Sequence, residues 1–493
     1  MRAREVIAAV VDDGSWLSWD TPVTRMPADA EYAAELVAAR EKTGLDEAVV
    51  TGEARIRGRR VAMLVCDFGF LGGSIGIATG QRLTAAIRRA TAERLPLLAL
   101  PTSGGTRMQE GTAAFLQMVR ITDAVVAHKA AGLPYLVYLR HPTTGGVFAS
   151  WGSLGHLTVA EPGALIGFLG PRVYSALYGE QFPAGVQTAE NLYACGLVDA
   201  VAPVGCLAGV VDRVLTVLAP PSRAGAAAVH EPACDAGAWE TVLASRRPDR
   251  PGVRDLLLHT AREVVPLNGN GEGEVDSGLL LALVRFAGAG CVLLGQDRDC
   301  GAPLGPAALR QARRGMRLAA ELGLPLVTVI DTAGAALSRE AEEGGLAGQI
   351  ARCIADMVAL EVPTVAVILG QGTGGGALAL LPADRVLVAQ HGWLSPLPPE
   401  GASAILHHDV AHAPEMAARQ GVRAADLFRD HIVDAVIPEC PDAADEPRAF
   451  CVRVGAAVRE ALASLAGVSA AERRAARSRR FDRIGQVELA QAG

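Results

Sequence analysis

Residues 133–168 read LPYLVYLRHPTTGGVFASWGSLGHLTVAEPGALIGF. A run rich in Leu, Val and Tyr ends at the pair Gly145-Gly146, small residues of helical character follow, and a second apolar run begins at Leu157. This order predicts a strand, a tight glycine turn, a helix and a second strand. Adding 229 to each number finds the order again. Pro134 falls on Pro363, Thr144 on Thr373, Gly145 and Gly146 on Gly374 and Gly375, Val159 and Ala160 on Val388 and Ala389, and Gly163 on Gly392.

The same offset joins an earlier pair of segments. Leu95-Pro96-Leu97 of LPLLALPTSGGTRMQEG falls on Leu324-Pro325-Leu326 of LPLVTVIDTAGAALS, and Gly105 falls on Gly334. Each half therefore carries two strand-to-helix turns without side-chain bulk. Self-similarity at a fixed period signals a repeated architecture, and this period has the length of a domain. Strands alternating with helices, with near-continuous apolar strands, predict a largely parallel sheet covered on both faces. The chain reads as two copies of one α/β domain.

Working outward, 493 residues that are 50% hydrophobic and 20% charged can bury two sizeable cores. A net charge of −7 argues against a nucleic-acid partner, which calls for a basic face. The nine cysteines form no CxxC or other close pair, so neither a zinc ribbon nor a dense disulfide framework is expected, and they read as buried thiols. The opening MRAREVIAAVVDDGSW has acidic residues where a signal peptide needs an apolar core, which predicts a cytoplasmic protein. Val362–Ala383 is uncharged and long enough to raise the question of a membrane span, but its prolines and its GQGTGGG run suit a buried strand and turn better.

Residues 1 to about 40 predict a helical lead-in containing an amphipathic surface helix, DAEYAAELVAAREKTG. Three segments follow from the repeat and from composition: a first domain over 1–218, a linker and lead-in over 219–278 rich in Pro, Ala, Gly and Asn, and a second domain over 279–493. The first strands are expected in RRVAMLVCDFGF and GCVLLGQD. The terminal ERRAARSRRFDR reads as a solvated helical end.

Where a strand enters a helix through Gly-Gly, the first helical N–H groups lack an intrahelical acceptor and no side chain shields them. The helix dipole adds partial positive charge there. Such a turn can hold a phosphate or a developing enolate or oxyanion. A lone Gly-Gly is more often only a tight turn; recurrence in both halves favours the anion site. No GxxxxGK[ST], GxGxxG after a first strand, GxSxG or HExxH is present, and Gly72-Gly73-Ser74-Ile75-Gly76 is the nearest approach to a phosphate loop. His141, His156, His407 and His408 lie near the turns, each read as a capped or core histidine. Backbone amides are left as the electrostatic machinery.

FGFLGGSIG, SGGTRMQEG, LPYLVYLRHPTTGGVFAS, AEPGALIGFLGPRV and FPAGVQTAENLYACGLVDAV resemble the β subunit of the bacterial acetyl-CoA carboxylase carboxyltransferase. VLLGQ, IDTAGA, AEEGG, VPTVAVILGQGTGGGALAL and PPEGASAIL resemble its α subunit. The resemblance covers about 45–215 and 285–440, β then α in one chain. It implies two tandem crotonase-like domains, with acyl-CoA against the first and carboxybiotin, on a carrier protein, against the second. CO₂ released from carboxybiotin would be captured by a thioester enolate after the ureido group takes the α proton, turning acetyl-CoA or another short acyl-CoA into malonyl-CoA or its homologue for fatty acid biosynthesis.

Two oxyanions then need two amide holes and no protein base. By position, Gly145 and Gly146 supported by Gly104 and Gly105 would hold the thioester, and Gly375 and Gly376 supported by Gly334, Ala335 and Gly374 would face biotin. Gly72, Gly73 and Arg107 are the expected substrate-binding residues, with a structural ion pair as the other reading of Arg107. The resemblance implies a biotin carboxyl carrier protein and a biotin carboxylase as partners, and a homodimer or higher oligomer with neither nucleic acid nor membrane. The family's Cys₄ zinc ribbon is missing, so no metal is expected; DTAGAALS stands where the family has DTPGAYPG, and Leu346 and Gly348 stand where it has Gln and Glu. Two other readings remain: a biotin-independent malonyl-thioester decarboxylase and a non-catalytic acyl-CoA-binding subunit.

Overall fold

The computed structural model describes residues 1–24, 26–220, 236–286 and 288–484. It divides into two units, one of Met1–Arg213 with Gly271–Glu274 and one of Val214–Asn270 with the chain from Val275 onward.

In the first unit the strands are β1 Leu17–Ser18, β2 Val49–Ile56, β3 Arg59–Cys66, β4 Leu97–Leu100, β5 Tyr135–Leu139, β6 Thr143–Thr144, β7 Leu157–Ala160, β8 Ile166–Gly167 and β9 Ala200–Val201. The sheet runs β1-β2-β3-β4-β5-β7-β9, parallel from β3 to β9, with β6 and β8 forming a separate parallel pair. Every residue of β4, β5 and β7 is buried, as expected for parallel strands covered on both faces rather than half-solvated ones. The helix Ile77–Ala92 brings Leu83, Ile87 and Ala90 to that core, and Gln117–Ala130 brings Met118, Ile121 and Val125. The amphipathic helix Ala30–Thr43 is capped by Asp29 and buries Tyr32 and Leu36 against Phe70.

The second unit repeats the plan with β10 Ala261–Leu267, β11 Leu279–Phe286, β12 Ala289–Gln296, β13 Leu326–Thr332, β14 Thr364–Thr373, β15 Arg385–Ala389, β16 Trp393–Ser395 and β17 Ala435–Ile437. The period shows in the pairing itself: Leu97 pairs with Tyr135 and Leu326 with Thr364, both at the offset of 229. The helix Pro306–Leu322 likewise answers Ile77–Ala92. Val362–Ala383 holds β14 and a short helix, and no described helix is long and apolar enough to cross a membrane.

Four sequence expectations are revised. The strand expected to open each half is the second arm of an antiparallel hairpin, β2–β3 and β11–β12, since the arms before them are also apolar and pair residue for residue. The segment assigned to linker and lead-in carries the helices Ala238–Ser245 and Val253–Thr260 and the edge strand β10, with Val253, Leu256 and Leu257 in the second core. The terminal helix Ala470–Arg483 is not a solvated end throughout. Arg477 is 2% exposed and bonds Asp384 at 2.8 Å, and Arg480 bonds Asp434. Cys206 and Cys440 are exposed although Cys66, Cys291, Cys353 and Cys451 are buried, while Cys234 lies outside the described residues.

Candidate functional site

In the first unit two turns meet backbone to backbone. The turn after β4 begins with Ser103, whose hydroxyl accepts from the Gly105 N–H at 3.0 Å and donates to the Gly105 carbonyl at 3.3 Å. The turn after β6 is entered through Gly145 at φ +66°. A Cβ on Gly145 would lie 3.3 Å from the Gly105 Cα, and one on Gly105 (φ +110°) 3.6 Å from the Gly146 nitrogen, so both positions need glycine for conformation, and the close approach adds to this at Gly145.

The amides of these turns divide into bonded and open. Gly104 donates to the Gly72 carbonyl at 2.9 Å, and Gly145 donates to the carbonyls of Phe168 at 2.9 Å and Gly167 at 3.3 Å. The N–H groups of Thr106 and Gly146 have no acceptor among the described residues, and both residues are only partly buried. A Cβ on Gly146 would meet the Met118 thioether arm at 3.3 Å and the Thr106 hydroxyl at 3.6 Å. Open N–H groups on adjoining turns suit an oxyanion.

The second unit reproduces this local chemistry. Thr332 replaces Ser103, its hydroxyl accepting from the Gly334 N–H at 3.1 Å and donating to the Gly334 carbonyl at 3.0 Å. The bridge Leu304–Ala335 answers Ile75–Thr106. Gly374 at φ +62° takes the place of Gly145 and opens the short helix Gly374–Leu378. Gly375 therefore corresponds to Gly146. Its N–H and those of Gly376 and Ala335 have no acceptor among the described residues, and a Cβ on Gly376 would lie 3.5 Å from the Ala335 nitrogen. Gln296 fixes the Gly376 carbonyl at 2.8 Å and takes the Asp331 N–H on its own side-chain oxygen at 3.0 Å. Beside Gly334 and Ala335 opens a cleft of about 360 Å³ that also meets Asp331, Arg298 and Gln371. Burial pushes the Asp331 carboxyl above the ordinary carboxylate range against the pull of Arg298, 3.1 Å away.

Several expected site residues do other work. Gly145 cannot be an oxyanion donor, because its N–H is spent on the β8 carbonyl and the one after it; it sets the turn. Gly104, Gly105 and Gly334 support through bonded amides. Arg107 is committed within the protein, in line with the ion-pair reading. It is 1% exposed, pairs with Glu47 at 2.5 Å and donates to the Ser74 carbonyl at 2.9 Å. Gly73 (φ +63°) is buried where a Cβ would sit 2.1 Å from the Thr102 carbonyl oxygen, while Gly72 is partly exposed. Thr106 escaped the sequence reading, although the offset from Ala335 points straight to it.

His156 is buried, His407 is half-buried, and His141 and His408 are exposed. The Nδ1 atoms of His141 and His156 accept from the N–H groups of Leu165 and Tyr135, and His407 stacks on His412 with ring centroids 4.2 Å apart. His391, Glu439 and Asp442 converge closely enough to hold a metal ion, yet Arg250 donates to both Glu439 oxygens at 2.7 Å and already fills the cation's place. Burial alone would raise Glu439; Arg250 and His391 outweigh it and hold the carboxyl at about 2.

Residues 1–474 match the model of the carboxyl transferase domain family. The chain is 61% identical over 481 residues to a probable biotin-dependent acyl-coenzyme A carboxylase beta3 subunit of Mycobacterium tuberculosis, covering 97% of each. It is 41% identical to the acetyl-coenzyme A carboxylase carboxyl transferase subunits beta/alpha of Salinispora arenicola, over 93% of this chain and 85% of that one. A solved transcarboxylase 12S structure superposes with a TM-score of 0.76 at 22% identity, over 94% of this chain and 89% of that one, a likeness of fold. The two tandem halves have the crotonase-like fold, and the chain belongs to the carboxyl transferase domain family.

Proposed function

We propose that this chain is the carboxyltransferase component of a biotin-dependent acyl-CoA carboxylase, transferring a carboxyl group to a short acyl-CoA, foremost acetyl-CoA. The observation that carries the reading is the duplicated turn, with open N–H groups at Thr106 and Gly146 in one unit and at Ala335 and Gly375 in the other.

The chemistry asks two things of the protein. The thioester oxygen gains charge as its α carbon loses a proton, and the Gly146 and Thr106 amides are placed to stabilise that charge without reorganising. The ureido oxygen gains charge in the second unit, where Gly375, Gly376 and Ala335 supply the donors and the adjoining cleft has room for a bicyclic head group. Carboxybiotin, delivered by a biotin carboxyl carrier protein loaded by a biotin carboxylase, supplies both the CO₂ and the ureido base. The chain's own residues bind, orient and stabilise charge.

Exposed apolar residues on corresponding helices, Leu177 and Tyr178 on Pro171–Tyr178 and Ile405 and Leu406 on Pro399–His407, support assembly of two or more copies. The reverse reaction tests the function. Purified protein given malonyl-CoA is expected to release CO₂ only when biotin or biocytin is present. Release without either makes the chain a biotin-independent decarboxylase, and thioester binding without turnover makes it a non-catalytic subunit.

A further inference from the structure

Gln296 ends β12 and is 1% exposed. Its side-chain amide joins the two turns of the second unit, donating from Nε2 to the Gly376 carbonyl at 2.8 Å and accepting the Asp331 N–H on Oε1 at 3.0 Å. One partner accepts and the other donates, so a neutral amide satisfies both where a carboxylate satisfies one. Both partners take their bond from outside the regular ladder and helix. The β13–β14 register shifts between Ile330 and Thr332, and there the Asp331 N–H turns to Gln296. After Gly376 the next amides go to other carbonyls, Ala379 to Gly375 and Leu380 to Ala377.

At the offset of 229, Asp67 stands where Gln296 does and Val147 where Gly376 does. Asp67 has only acceptors, and it spends them on Arg2 and on the N–H groups of Ala3 and Gly69. The Val147 carbonyl is taken by the main chain, from Gly152 at 3.0 Å and Ser150 at 3.3 Å. The first unit thus closes this turn with its own backbone. The second begins its helix with Gly374-Gly375-Gly376, and that helix is five residues long. Glycine loses the most conformational freedom on ordering, so such a start depends on contacts from outside to keep its shape.

We propose that Gln296 is a positioning residue for the carboxyl transfer, tying the turn of Gly334 and Ala335 to the turn of Gly375 and Gly376 so that their open N–H groups serve one ureido oxygen. The proposal rests on the carboxyltransferase reading above. The two turns already approach closely, since a Cβ on Gly376 would lie 3.5 Å from the Ala335 nitrogen. Donors of an oxyanion hole act only when held at a set distance from the charge they stabilise. Asp331 extends the tie, its carboxyl oxygens accepting from the Gln371 N–H at 3.0 Å and from Arg298 at 3.1 Å.

Decarboxylation of malonyl-CoA with biocytin, measured on the full chain, tests this in Gln296→Leu and Gln296→Glu. In Gln296→Leu, kcat/KM for biocytin is expected to fall by about tenfold to a hundredfold, the scale of a small misplacement, with the KM for malonyl-CoA unchanged. Gln296→Glu adds a readout that mere packing does not move. A protonated carboxyl donates through its O–H and accepts on its other oxygen, whereas a carboxylate only accepts. The activity of Gln296→Glu relative to wild type is therefore expected to fall as pH rises, and that of Gln296→Leu to stay level. The proposal is overturned if Gln296→Leu keeps the wild-type kcat/KM, if its KM for malonyl-CoA rises as much as its biocytin term falls, or if the two variants follow the same pH profile. Should Gln296→Leu prove unfolded by its melting curve, Gln296→Glu decides alone. A wild type without biotin-dependent turnover sinks the carboxyltransferase reading instead. The tie is then read by hydrogen exchange over 374–381, expected to be faster in Gln296→Leu, and equal exchange overturns it.

Discussion

Gly146→Pro is expected to lower malonyl-CoA turnover by about 10²–10³-fold, the usual consequence of removing one oxyanion donor. Proline removes the N–H, which has no acceptor among the described residues, and adds a ring that fixes φ. The added carbons meet the Met118 side chain, 3.3 Å from the Cβ position, and an unbranched thioether can shift. Gly146→Ala, which keeps the N–H and adds the same Cβ, is the control and should retain most activity. Comparable losses in both variants would mean that crowding rather than the amide was responsible, and full activity in the proline variant would remove Gly146 from the mechanism.

Arg107→Ala should cost about 3–5 kcal/mol of stability, the range for breaking a buried pair and stranding one partner. Arg107 and Glu47 are 1% and 2% exposed, and the arginine also reaches Glu110 at 3.5 Å and the Ser74 carbonyl. Without it the Glu47 carboxylate keeps its Ala48 N–H partner and loses its counter-charge. Urea unfolding measures the loss. The protein that remains folded should keep its wild-type KM for the thioester, and an unchanged unfolding curve beside a raised KM would return Arg107 to the substrate.

What the sequence made legible was the part governed by local chemistry and period. Gly145, Gly374, Gly105 and Gly334 had to be glycine because of their positive φ, and the hydroxyls of Ser103 and Thr332 close their turns on Gly105 and Gly334; both constraints leave single-residue marks that an offset can find. What stayed hidden depends on partners distant in the chain. Arg107 looks like any exposed arginine until Glu47, sixty residues earlier, is seen to face it. The Gly145 N–H looks free until Gly167 and Phe168 come alongside. The arms β2 and β11 and the helices inside 236–278 are identified as core only by what they pack against.

Bare main-chain donors at the Gly146 turn are tested most directly by a structure of the protein with a non-hydrolysable acetyl-CoA enolate analogue. The enolate oxygen is predicted to lie about 2.7–3.1 Å from the Gly146 nitrogen. An oxygen bound elsewhere, with the Gly146 N–H turned to a protein carbonyl, would contradict it.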